Sequence, residues 1–200
     1  MRRFHLLAVP LASLIAHPVA TQAQDVAPPG WAVGASVGLL SAKPDLGDRE
    51  YGLGFQGTLS YTKPSGLQIA GGALYGVLNT EQSEDHRNVV FVFVEPRYVI
   101  LMSAESVTPY VGVRGGYGWQ QLRVAGDTST AEASADGWLF SGIIGVLARL
   151  SPAVALEATG VFGVSGWGNP EIGGEPIPER TGKTAWTGGI IVGFVFHAGS

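Results

Sequence analysis

Between Trp31 and Phe196 the chain returns again and again to one pattern, in which apolar residues alternate with small or polar ones at a period of two. Successive side chains of a strand point to opposite faces, so this period predicts strands with one apolar face. Eight segments carry it: Trp31–Ser41, Tyr51–Thr62, Leu67–Leu78, Val89–Ile100, Tyr110–Leu122, Gly137–Leu150, Ala153–Val164 and Ala185–Phe196. The second is the clearest, with Tyr51, Leu53, Phe55, Leu59 and Tyr61 set against Gly52, Gly54, Gln56, Thr58, Ser60 and Thr62. In the fourth, Val89 to Phe93 is apolar on both faces.

The connections alternate long and short. Lys43–Glu50, Asn79–Asn88, Ala125–Asp136 and Gly166–Lys183 are the long ones, and Pro170, Pro176 and Pro178 oppose a strand in the last. Lys63-Pro-Ser-Gly66 reads as a tight turn, Ser103–Pro109 as a short polar link, and Ser151-Pro152 as a direct reversal. Alternating long and short connections between eight strands predict an antiparallel up-and-down barrel, with long loops outside a membrane and short turns inside. Eleven residues at ~3.3 Å each, tilted ~45°, span about 25 Å, the height of the apolar band of such barrels.

The strands around Val94–Trp119 show which way the barrel faces. Glu95 and Arg97 share one face of the fourth strand, opposite Val94, Tyr98 and Ile100; Arg114 shares a face with Gly112, Gly116 and Gly118, opposite Val111, Val113, Tyr117 and Trp119. Charges collected with glycines suit a crowded lumen, and the apolar face is then left to lipid. Centring the connection between Ala104 and Glu105 sets Glu95 opposite Arg114. Arg149 of the sixth strand and Glu157 of the seventh fall on inward faces too, giving an expected lumen charge network of Glu95, Arg97, Arg114, Arg149 and Glu157.

Strand direction also fixes the height of each outward aromatic. Trp31, Tyr61, Tyr98 and Phe196 fall near the lower rim, and Tyr51, Tyr75, Trp119, Trp138 and Trp186 near the upper one. Two belts of amphipathic rings are what the two interfaces of a bilayer select.

Val-Glu-Pro-Arg-Tyr (94–98) and Thr-Pro-Tyr-Val-Gly-Val-Arg-Gly-Gly-Tyr-Gly (108–118) resemble the fourth and fifth strands of the small bacterial outer-membrane β-barrels, the group of OmpX and the OmpA membrane domain. The resemblance extends from about Trp31 to Phe196 and implies an all-β fold: an eight-stranded antiparallel transmembrane barrel in the outer membrane of a Gram-negative bacterium. It brings no catalytic residues with it. The partners it implies are outer-membrane lipid and lipopolysaccharide, and the barrel-assembly machinery during insertion, with the barrel expected as a monomer.

Composition fits a single membrane barrel. Thirty glycines and 14% charged residues are unusual for a soluble chain, yet no stretch after residue 23 approaches the ~20 apolar residues of a membrane helix. Met1–Ala23 reads as a cleaved signal peptide, with Arg2 and Arg3 at its start, Leu6–Ile15 as its apolar middle and Thr21-Gln22-Ala23 as the cleavage site. Residues 24–30 form a periplasmic lead-in, 31–196 the barrel and 197–200 a C-terminal tail. No linker points to a peptidoglycan-binding domain of the OmpA kind. Removal of the two arginines leaves 10 basic and 16 acidic residues, a net charge of −6 that gives no case for nucleic acid. With no cysteine there is neither a disulfide framework nor a lipidated N-terminus.

Acidic residues gather in the loops: Asp45, Asp48 and Glu50; Glu81, Glu84 and Asp85; Asp127, Glu132 and Asp136; Glu171, Glu175 and Glu179. The expectation is a solvated exterior and no metal site. No cofactor is expected either, since no helix follows the Gly-Gly pairs at 71–72, 115–116 and 188–189. Outside the signal peptide the histidines are His86 and His197, and neither has a serine two residues on, as in the His-x-Ser of the lipid A deacylases. The reading is therefore a non-enzymatic barrel with a structural or surface-interaction role and a charge-plugged lumen. A narrow or gated pore ranks second; a lipid-modifying enzyme and a secreted lipocalin-like binder rank below it.

Overall fold

The computed structural model describes residues 29–44, 49–80, 86–100, 106–125, 130–172, 175–176 and 184–198. The expected signal peptide lies outside these, as do Asp45, Asp48, Glu81, Glu84, Asp85, Asp127 and Glu179. The elements are β1 (Gly30–Pro44), β2 (Glu50–Thr62), β3 (Leu67–Thr80), β4 (His86–Val99), β5 (Val107–Ala125), β6 (Thr130–Arg149), β7 (Val154–Trp167), a ribbon of β8 (Glu171–Ile172) and β9 (Glu175–Pro176), and β10 (Thr184–His197). Every consecutive pair from β1 to β7 is antiparallel, β7 pairs β10, and β10 returns to β1. Eight strands thus close on themselves. Closure matters in lipid, where an open sheet edge would leave backbone groups without partners.

Two short connections form as their residues dictate. In the first, Gly66 takes φ 84° and its N–H donates to Lys63 O at 3.0 Å, an arrangement that a residue with a Cβ resists. In the second, Leu150 N–H donates to Val154 O at 2.9 Å across Ser151 and Pro152.

The side chains follow the two-residue period. Leu39, Ile144, Phe162 and Ile190 are 67%, 65%, 65% and 65% exposed on the outer wall, while Glu95 and Arg114 are buried inside. An apolar exterior around a polar centre is the arrangement of a membrane barrel and rules out the lipocalin-like alternative, whose outside would be polar.

Several boundaries differ from the sequence reading: β1 runs to Pro44, β3 to Thr80 and β4 starts at His86, each inside a stretch expected as loop, and the larger differences are these. Ala125–Asp136 was expected as loop, but β5 runs to Ala125 and β6 begins at Thr130. Alanine is a weak strand former, yet Ala133 and Ala135 face inward and are buried, and the hairpin ladder carries the strand on. In Gly166–Lys183, β7 continues through Trp167, and β8 and β9 attach to β6 through Ser134 and Glu171 in spite of Pro176. Glu50, expected as a loop acid, opens β2 and is buried, because it continues the inward row of Gly52 and Gly54.

Candidate functional site in the lumen

The lumen is layered. Ala32, Val99, Tyr110, Ile143, Leu147, Ala155 and Val195 form an apolar cluster toward the short-turn end. Ala42, Leu74, Leu78, Val89, Phe91, Phe93 and Leu139 form a second toward the long-loop end, with Leu40 and Trp167 packed against it. Between them lies a polar layer built on β4, β5 and β7.

Register makes the polar layer. Val94 pairs Gly115 and Arg97 pairs Gly112, which sets Glu95 across from Arg114. Arg114 Nε donates to Glu95 Oε2 at 2.6 Å. The other oxygen, Oε1, accepts from Arg97 Nε, and Arg97 Nη1 in turn reaches Glu157 Oε1. Since β4 and β7 are not sheet neighbours, this last pair crosses the lumen. Glu157 also accepts from the Tyr110 hydroxyl at 2.8 Å, and that hydroxyl meets Thr159 Oγ1. Beside the row, Arg97 Nη1 donates to Gln68 Oε1 at 3.5 Å and Gln68 Nε2 to Thr62 Oγ1 at 2.9 Å.

Aromatic faces take over where carboxylates end. The Arg114 guanidinium lies 4.0 Å from the Phe93 ring centroid and that of Arg97 lies 4.7 Å from the Tyr110 ring. A ring face is electronegative, so it partly replaces water over the buried cations. Glycines make the room. A Cβ on Gly145 would stand 2.3 Å from Tyr110 Cζ, one on Gly118 2.5 Å from Phe91 Cδ1, and one on Gly72 2.8 Å from Phe93 Cζ.

Of the five charged residues expected together, the structure joins Glu95, Arg97, Arg114 and Glu157. Arg149 is placed elsewhere. It ends β6 at the lower rim, where Nε donates to Ser151 O at 3.2 Å and Nη2 to Pro152 O at 3.3 Å. Leu147 stands opposite Glu157, so Arg149 belongs one inward position below the network's level.

Tyr110, Thr159 and the upper rim pair were not picked out from the sequence. Tyr110 shares its face with Arg114, a parity that would have found it. The rim pair is Arg87 Nη2 to Glu50 Oε1 at 2.8 Å, with Arg87 Nη1 donating to Gln120 Oε1 at 3.2 Å. His86 begins β4 and His197 ends β10, at opposite ends of the barrel.

All nine expected interface aromatics, Trp31, Tyr51, Tyr61, Tyr75, Tyr98, Trp119, Trp138, Trp186 and Phe196, project outward and are exposed. Trp31 and Tyr61 are cross-strand partners with rings 5.2 Å apart, and Trp186 stacks on Phe162 at 5.5 Å.

These features define an integral outer-membrane β-barrel protein. Neisserial surface protein A has a similar fold, with a TM-score of 0.62 and 18% identity over 84% of this chain and 97% of that one. The attachment invasion locus protein Ail of Yersinia pestis matches with a TM-score of 0.48 and 14% identity over 84% and 99%. No family model and no curated protein matches the sequence. The fold is that of the small eight-stranded outer-membrane barrels.

Proposed function

We propose that the chain is a non-enzymatic barrel of the outer membrane with a structural or surface-interaction role, and that its lumen is closed by the ion network. The observation that carries this is the chain of contacts from Arg114 through Glu95 and Arg97 to Glu157, which spans from β5 to β7 at one level. An eight-stranded lumen is filled by its side chains, and here apolar clusters close both sides of the charged layer. In this reading the outward aromatics hold the rims in lipid and lipopolysaccharide, the barrel is a monomer, and the assembly machinery inserts it. What acts on the outside is then the upper rim, where Glu132, Asp136, Glu171 and Glu175 are exposed.

Single-channel recording of the refolded protein in a planar bilayer tests the closure. The expected result is a silent membrane; steady conductance steps from the unmodified protein would overturn it. A gated pore is the second reading, favoured by one observation: the Glu95 carboxylate joins both arginines. Conductance that appears only in Glu95→Gln would make that reading the better one.

A further inference from the structure

On the outer wall the sheet continues above the upper aromatics. Tyr75, Val90, Trp119 and Asp136 are successive ladder partners across β3 to β6, and the outward row directly above them is Val77, Asn88, Gln121 and Ser134, continued by Glu171 of β8. Ladder partners project to the same face, and Trp119, Gln121, Ser134 and Asp136 are all exposed on it. Two residues of strand at ~3.3 Å each, tilted ~45°, lift the second row about 5 Å above the first. With Trp119 at the upper interface, as in the reading above, Asn88, Gln121 and Ser134 stand at the level of the outer-leaflet headgroups. They face sideways, away from the barrel axis, so what meets them is a neighbouring lipid and not a molecule in the medium overhead.

The chemistry of the row narrows the headgroup. An amide carries both donors and an acceptor, and a hydroxyl is both at once, so three successive strands offer uncharged groups of both kinds across ~10 Å. A sugar ring presents hydroxyls of the same two-way character along its edge and an apolar C–H face that suits an aromatic ring; Trp119 lies beneath Gln121 on the same strand. The Tyr75 hydroxyl donates to Asn88 Oδ1 at 3.4 Å, which holds that amide against the wall. One row higher, Arg123 and Glu132 are ladder partners of opposite charge, which leaves Asp136 and Glu171 to set the sign of this sector. A phosphate brought against the row would meet like charge there; an uncharged sugar would not.

We infer that the outer face of β4, β5 and β6 above the aromatic belt is a binding site for the uncharged saccharide headgroup of an outer-leaflet glycolipid, with Asn88, Gln121 and Ser134 hydrogen-bonding its hydroxyls and Trp119 stacking on the sugar ring nearest the membrane. The site rests on the outer-membrane reading given above and adds to it what this sector of the rim selects.

The test uses the refolded protein in nanodiscs holding equal parts of digalactosyl diacylglycerol, phosphatidylethanolamine and phosphatidylglycerol with the same acyl chains, and native mass spectrometry counts the lipids that stay on the barrel. The digalactosyl lipid should be enriched, and lipopolysaccharide added to the nanodiscs should displace it. Gln121→Ala and Trp119→Leu should each lower the enrichment about threefold to tenfold. Trp186→Leu removes an aromatic from the same rim at a place where the ladder partner is Lys43, and should leave the enrichment unchanged. Equal retention of the three lipids, or no displacement by lipopolysaccharide, would overturn the site, and preference for phosphatidylglycerol would overturn the uncharged class. Free lactose that saturates the protein as readily as the digalactosyl lipid would mean that a soluble sugar is the ligand, and would overturn the leaflet source. A barrel that does not stay in the nanodisc at all would instead sink the membrane reading on which the site rests, an outcome distinct from equal retention. These outcomes are read on the unmodified sequence, so they stand even if a variant does not refold.

Discussion

At the scale of single residues, the lumen turns on whether a buried charge keeps its partner. Glu95 serves two arginines at once, one on its own strand and one across the ladder. Truncating one member of a buried pair costs ~3–5 kcal/mol, because the other is stranded, whereas replacing both by neutral groups of similar size costs far less. Glu95→Gln and Arg114→Met should each lower the unfolding midpoint in urea, and the double variant should recover part of the loss; strictly additive effects would show that the two do not interact. Glycine offers a second check at this scale. Gly145→Ala forces a methyl against the Tyr110 ring, an overpacking that costs about 1–3 kcal/mol. Gly115→Ala faces open space on the outer wall and should leave the urea midpoint nearly unchanged. Equal losses in the two would remove the ring-and-glycine account. The Glu95–Arg114 pairing was legible because parity and turn length together fix register. The level of Arg149 was not, since parity gives the face of a side chain and says nothing of where its long stem ends.

At the scale of elements, alternation located all eight barrel strands and erred at their upper ends. There the strands run on past the apolar stretch, through Thr130-Ala-Glu-Ala-Ser-Ala-Asp136 and up to Trp167, held by ladder bonds that leave no mark in hydrophobicity. The apolar run Val89–Phe93 looked ambiguous as a sequence because its inward side chains, Val89, Phe91 and Phe93, build the upper lumen cluster while Val90 and Val92 meet lipid. The closing strand shows a similar extension. Phe196 pairs with Val33 and Val154, but the ladder continues beyond it, with His197 N–H donating to Ala153 O and Ala198 N–H to Trp31 O, each at 2.9 Å. The aromatic presented outward at the end of β10 is therefore followed by paired backbone. If the assembly machinery reads Phe196, Phe196→Ala should reduce the folded, heat-modifiable form in outer-membrane fractions more than Phe194→Ala does. Normal assembly of Phe196→Ala with failure of Phe194→Ala would shift the recognised position one outward residue back.

At the scale of the whole molecule, the barrel divides its tryptophans between two solvents. Trp31, Trp119, Trp138 and Trp186 lie on the outer wall, and Trp167 turns into the lumen against Phe91, with ring centroids 5.3 Å apart. No composition argument separates these five; strand parity does, once β7 is seen to reach Trp167. The division has a direct optical consequence. Lipids brominated along the acyl chain quench a tryptophan that touches them and spare one walled off by the sheet. In single-tryptophan variants refolded into such bilayers, Trp186 should be quenched, and most strongly by bromines near the headgroup, because it stands at the upper interface. Trp167 should be spared at every bromine depth. A soluble barrel bound to the bilayer surface would show no depth profile at Trp31 and Trp186, and an inverted one would quench Trp167 in preference to both. Trp31 belongs to the lower rim, so quenching from bromines placed only in the outer leaflet should reach Trp186 and miss Trp31. A Trp31 signal quenched from the outer leaflet alone would mean that the chain threads the membrane in the opposite direction.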